Sequence, residues 1–109
     1  MPNRKAVVKI DNIFDKFKVE INPLTIEDIN ELIALSMKSG FLGNLGLLKF
    51  IIERGCAYKN DADIINNKTF FTICCLTREI WILTLNSLAN HTRKLMKLAQ
   101  HDPTILKIH

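Results

Sequence analysis

The chain has 109 residues, 48% of them hydrophobic, and a formal net charge of +4. That content excludes a disordered segment, and the length fits a single domain spanning residues 1–109 with one modest core. The basic balance permits contact with nucleic acid or an acidic protein without demanding either.

Taken in chain order, the first element is a β-hairpin over residues 6–22. Val8 and Ile10 alternate with Val7, Lys9 and Asp11, and Phe17, Val19 and Ile21 alternate with Lys16, Lys18 and Glu20. That is the period of a strand with one face covered. Pro23 ends the second strand, because it has no ladder donor. Thr25 then caps a helix over 25–39, with Asp28 closing a short capping box. Ile26, Ile29, Ile33 and Met37 form its apolar stripe, and Glu27, Asp28 and Glu31 place acid at the favourable end of the dipole. Gly40 ends this helix, and Gly43 and Gly46 loosen the connection. A second helix over 45–54 carries Leu47, Leu48, Ile51 and Ile52 toward the core and stops at Gly55. The stretch 57–68, AYKNDADIINNK, reads as a polar break with one short turn around Ile64 and Ile65.

The last helix, over 69–100, is long and central. Its first half is apolar nearly all round, from Phe70 to Leu85. In its second half Leu88, Leu95 and Leu98 oppose Asn90, Arg93, Lys94 and Lys97. A helix apolar on every side must be enclosed by its own domain or by a partner. Arg78 and Glu79 at the centre of the window Thr69–Ala89 argue for a buried helix and against a membrane span. Asp102 and Pro103 end the helix. Trp81 shares a seven-residue stripe with Cys74, Leu88 and Leu95. It is expected to be mostly buried against residues 29–37, against residues 47–52, or against a second copy. The fold class is therefore α+β: a hairpin followed by three to four helices.

The chemistry-bearing residues are few. Cys56, Cys74 and Cys75 are odd in number, and two are adjacent, so they read as reduced, partly buried thiols of a reducing compartment. MPNRKAVVKID has no apolar signal core, so a cytoplasmic chain is expected. No pair among these cysteines and His91, His101 and His109 has zinc-ligand spacing, so no metal or other cofactor is expected. Gly40, Gly43 and Gly46 form no phosphate loop. Asp61, Asp63, Glu27, Asp28 and Glu31 fall in turns and helix starts and form no acid–base pair. The expectation is a protein that is not an enzyme. Its candidate partner interface is Ile80, Trp81, Leu83, Leu85 and Leu88, used for self-association or for another protein. Two basic groups, Arg4, Lys5, Lys9, Lys16 and Lys18 and then Arg93, Lys94, Lys97 and Lys107, support an alternative. It is a small basic counter-defence or nucleic-acid-binding protein with Arg93, Lys94 and Lys97 as phosphate contacts.

The segment Phe17 to Ile33, FKVEINPLTIEDINELI, resembles the opening of small phage tail assembly chaperones and related tail or baseplate assembly proteins. Phe17, Val19 and Ile21 match the alternating strand, and Pro23, Leu24, Thr25 and Asp28 match the strand-to-helix junction. The resemblance lies in the N-terminal part, and the helix from Thr69 falls outside it. It implies a binding function, in which the protein coats or holds another phage protein during assembly. A second stretch resembles one ankyrin repeat: Gly43 to Leu45, Leu48 to Glu53, and Gly55 with Cys56. Thr69, Cys74 and Cys75 stand near the corresponding positions of a following repeat, although Thr-Pro-Leu-His does not occur. That likeness implies an interaction module.

Overall fold

The computed structural model describes residues 5–39 and 45–101. Two strands, β1 (Ala6–Asp11) and β2 (Lys16–Ile21), are followed by four helices: α1 (Ile26–Ser39), α2 (Leu45–Gly55), α3 (Lys59–Ile65) and α4 (Phe70–His101). The class is α+β. The strands pair antiparallel with Ala6 opposite Ile21 and Asp11 opposite Lys16. Alternation sends Val8, Ile10, Phe17, Val19 and Ile21 to one face, where they join the core, and leaves Val7, Lys9, Asp11, Lys16 and Lys18 in water. A one-residue slip would exchange those faces, so burial itself holds the register.

The connection between the strands is tied down at both ends of its reach. Asn12 Oδ1 accepts from the backbone N–H of Phe14 at 2.8 Å and of Asp15 at 2.9 Å, an Asx-type turn. Asp15 in turn meets the start of α4. Its Oδ2 accepts from the Thr69 hydroxyl at 3.2 Å and from the Thr72 hydroxyl, and Lys68 Nζ lies 3.8 Å from Oδ1. Thr69 Oγ1 also accepts from the Thr72 N–H at 3.3 Å and so caps α4. A carboxylate in this position complements the positive end of the helix dipole.

The capping box expected at α1 is present. The Asp28 N–H donates to Thr25 Oγ1 at 3.0 Å, and the Thr25 N–H donates to Asp28 Oδ2 at 3.1 Å. The expected stripe is rotated, however. Leu32 is buried and Ile29 packs on the core, while Ile26, Ile33 and Met37 are exposed, Met37 at 79%. Hydrophobic spacing specified a face but not how far around the helix the body would reach. Arg54, from the end of α2, bridges to Asp28 at 3.2 Å and Glu31 at 2.9 Å, fastening the start of α1 to α2.

In α2, Leu47, Ile51 and Ile52 are buried, as their spacing predicts. Gly46 lies inside this helix and not in a loop; Gly40 and Gly43 fall outside the described residues. Gly55 does more than end the helix. A Cβ at this position would sit 2.5 Å from Ile80 Cδ1, so a hydrogen is all the space allows between α2 and α4. The chain then passes alongside β2. Asn22 N–H donates to Gly55 O at 2.7 Å, Ala57 N–H donates to Glu20 O at 3.0 Å, and Ile21 bridges Cys56. The expected polar break is a two-turn helix, α3, with Ala62 and Ile65 buried and Ile64 exposed. Two small patches of apolar contact suffice to hold so short a helix, although it would not form alone.

At 1.5 Å per residue, the 32 residues of α4 reach about 48 Å, close to the 51 Å long axis of the molecule. Its first half is central as expected: Ile73, Leu76 and Ile80 fill the core between the sheet and α2. The stop expected at Asp102 and Pro103 lies outside the described residues. The second ankyrin-like stretch, Lys68 to Leu83, runs into this continuous helix and not into a helix–turn–helix unit.

Candidate functional site

The surface of α4 is the feature most at odds with an ordinary soluble helix. Phe70, Phe71, Ile82, Leu85, Leu95, Met96 and Leu98 are all exposed, Leu85 at 58%. At about 100° per residue, Phe71, Ile82, Leu85, Ala89 and Met96 fall on one side of the helix, turned away from Ile73, Leu76 and Ile80. Scattered apolar residues on a surface are ordinary, but a run along one helix face marks a contact surface. Phe71 is partly engaged, its ring 6.2 Å from that of Phe14 in an edge-on arrangement.

The five interface residues expected from sequence separate into three groups. Ile80 is fully buried, at 0% exposure, beneath Gly55, and this corrects its assignment to a partner surface. Trp81, Leu83 and Leu88 are half-buried, and Trp81 and Leu83 pack on the core. Trp81 is therefore less enclosed than its sequence context predicts. Leu85 alone of the five is fully available. Ile82 and Met96, which share the open side with Leu85, are absent from the interface expected from sequence. Their signal was present in the helical spacing, but only the position of the body shows which side of α4 is left open.

Arg93, Lys94 and Lys97 are exposed and pair with no carboxylate among the described residues; Arg93 donates to Asn90 Oδ1 at 2.8 Å. On the hairpin, Lys5, Lys9, Lys16 and Lys18 are exposed, with Lys9 directly opposite Lys18 and Lys16 opposite Asp11. Arg4 and Lys107 fall outside the described residues.

Comparison of the chain with protein families, with curated proteins and with solved structures gives no match. The reading of the site therefore rests on its own geometry.

Other candidate chemistry is sparse. Among the described residues no three His, Cys, Asp or Glu side chains gather as a metal site. The three thiols are free. Burial, reinforced by the charge of Asp61, pushes the Cys56 thiol from 9.0 up to about 12, so it stays protonated and a poor nucleophile. An open groove of about 190 Å³ lies between β2 and α3, formed by Phe17, Val19, Ile64 and Ile65 with Lys18, Lys68 and Asp61. Lys68 is already engaged there, over the Phe17 ring at 5.8 Å and beside Asp15. No described helix is long and apolar enough to cross a membrane.

Proposed function

We propose that this chain is a non-enzymatic interaction protein that binds another protein chain through the open apolar side of α4. The observation that carries the reading is the row Ile82, Leu85 and Met96, large apolar side chains left exposed along a helix whose other side is the core of the domain. Covering them removes apolar surface from water, which is the main driving force of most protein association. The setting is taken from the resemblance of the segment Phe17 to Ile33 to phage tail and baseplate assembly proteins. The proposed setting is therefore viral assembly. Co-expression with the products of the neighbouring genes tests both parts. A tail or baseplate protein that co-purifies with the chain, and is lost on replacing Ile82 and Leu85 with Glu, is the expected result. Neighbours unrelated to virion structure would end the assembly reading. Unchanged co-purification by the double variant would end the assignment to α4.

A second reading is favoured by one observation. Arg93, Lys94 and Lys97 lie close together on α4, beginning beside its apolar row at Ala89 and Met96, free of acidic partners among the described residues. They form a short cationic strip suited to phosphates. Mobility shift with duplex and single-stranded nucleic acid at two salt concentrations tests it: a shift that weakens steeply with salt supports phosphate contact, and none at low salt removes it.

A further inference from the structure

From Trp81 onward α4 carries Trp81, Leu85, Leu88, Thr92, Leu95 and Ala99, separated by four and three residues in alternation. That is a repeat of 3.5 residues. It keeps a seam in line along a helix when the partner is itself a helix, each side chain entering a gap between four residues of the other. Leu85, Thr92 and Leu95 are exposed, Trp81 and Leu88 half-buried and Ala99 buried, so the seam is open along its middle, from Leu85 to Leu95. Its flanks are Ile82, Ala89 and Met96 on one side and His91 and Leu98 on the other. The charged residues Arg93, Lys94 and Lys97 all stand on the back of the helix. Coiled coils that select a different partner do so with complementary charges beside the seam. Here those positions carry none, and an identical helix can approach without facing like charge.

The sizes of the seam residues also complement one another when the helix is turned end for end. With the two helices antiparallel and centred on Asn90, Trp81 lies opposite the partner copy's Ala99, Leu85 opposite its Leu95, and Leu88 opposite its Thr92. The largest side chain meets the smallest, and the two protein bodies fall at opposite ends of the pair. On two copies, Leu85, Leu95, Ile82, Met96 and Leu98 expose on the order of 1,000 Å² together, about what the smaller specific interfaces bury. We propose that two copies of this chain pair antiparallel through the Trp81–Ala99 seam of α4. This deepens the interaction reading above and rests on it.

Sedimentation of the full chain across the micromolar range tests the pairing. The expected result is a species of twice 12.5 kDa, with a dissociation constant raised at least about 100-fold by Leu85→Glu with Leu95→Glu. Both side chains are exposed, so circular dichroism and Tm of the double variant should match the parent. Orientation is read by cross-linking in a Cys74→Ser, Cys75→Ser background. Ala89→Cys, next to the two-fold axis, should form a disulfide dimer under mild oxidation, and Leu85→Cys should not. A monomer at every concentration, a dimer indifferent to the Glu substitutions, or cross-linking through position 85 in place of 89 overturns the proposal. A dimer that appears only after deletion of residues 102–109, with their Ile105, Leu106 and Ile108, also overturns it by making that segment the occupant of the seam. A monomer that still co-purifies with a neighbour-encoded protein, and loses it in the Glu variant, defeats the pairing alone and leaves the proposed function standing.

Discussion

The two halves of α4 reverse the ordinary relation between polarity and burial. In the first half, Thr72, Thr77 and Thr84 are buried, two of them completely; in the second, Leu95, Met96 and Leu98 face water. The first half touches the sheet and α2, where a threonine on the inward side is enclosed whatever its hydroxyl prefers. Much of the second half lies outside the core, where a leucine is exposed however apolar it is, although Ala99 is buried there. Position relative to the body, and not residue type, decides burial along this helix. The buried threonines differ in how they meet that demand. Thr84 Oγ1 donates to Ile80 O at 2.7 Å and accepts from the Leu24 N–H at 2.9 Å, holding the strand-to-helix connection onto α4. Thr77 Oγ1 has no hydrogen-bond partner among the described residues.

The contrast between the halves is tested most strongly by truncation. Ile80→Ala should cost about 2–5 kcal/mol in urea denaturation, because the cavity lies between α2 and α4 and their backbones cannot easily close it. Leu98→Ala, a comparable deletion on the exposed half, should stay within about 0.5 kcal/mol for the monomer. Similar losses at both positions would mean that the second half is enclosed as well. The same helix contact can be probed from its other side. Gly55→Ala forces a methyl into Ile80 and should lower stability by about 1–3 kcal/mol, with part of the loss restored when Ile80→Val makes room.

Two of the buried threonines sharpen the comparison. Thr84→Val keeps the shape but leaves the buried Leu24 N–H without its acceptor, an expected loss of about 1–3 kcal/mol, while Thr84→Ser should keep most of the stability. Thr77→Val removes a buried hydroxyl that has no partner and should be neutral or slightly stabilising. Equal effects of the two valine substitutions would show that the Leu24 contact is not what makes Thr84 matter.

The smallest effect at neutral pH belongs to Cys56. Its pKa is about 12 in the folded chain against 9.0 ordinarily, so the unfolded state loses this proton first as pH rises. The contribution of the protonated thiol is complete below pH 9 and is lost progressively as pH rises through 12. The stability advantage of the parent over Cys56→Ala, measured by chemical denaturation at about pH 8 and about pH 11, should therefore shrink at the higher pH. An advantage that grows would reverse the assignment of burial as the cause.

Much of the local structure was legible in the sequence because its causes are local. The strand faces follow from alternation at Val8–Ile10 and Phe17–Ile21. The start of α1 follows from Thr25 and Asp28, and the inward side of α2 from Leu47, Ile51 and Ile52. Those patterns set secondary structure before any tertiary contact is known. What the sequence did not disclose lies wherever burial depends on distant neighbours. The rotation of α1 that exposes Ile26, Ile33 and Met37, the enclosure of Ile80 and the opening of Ile82 and Met96 are such cases. So are the anchoring of Leu24 by Thr84, sixty residues away, and the closeness of Gly55 to α4. The candidate site follows the same division. The sequence alone determined that α4 would be apolar, because composition and spacing are properties of the chain. Only the tertiary structure decided which side of α4 remains to be covered, because a short chain has too few elements to surround a helix that spans the whole molecule.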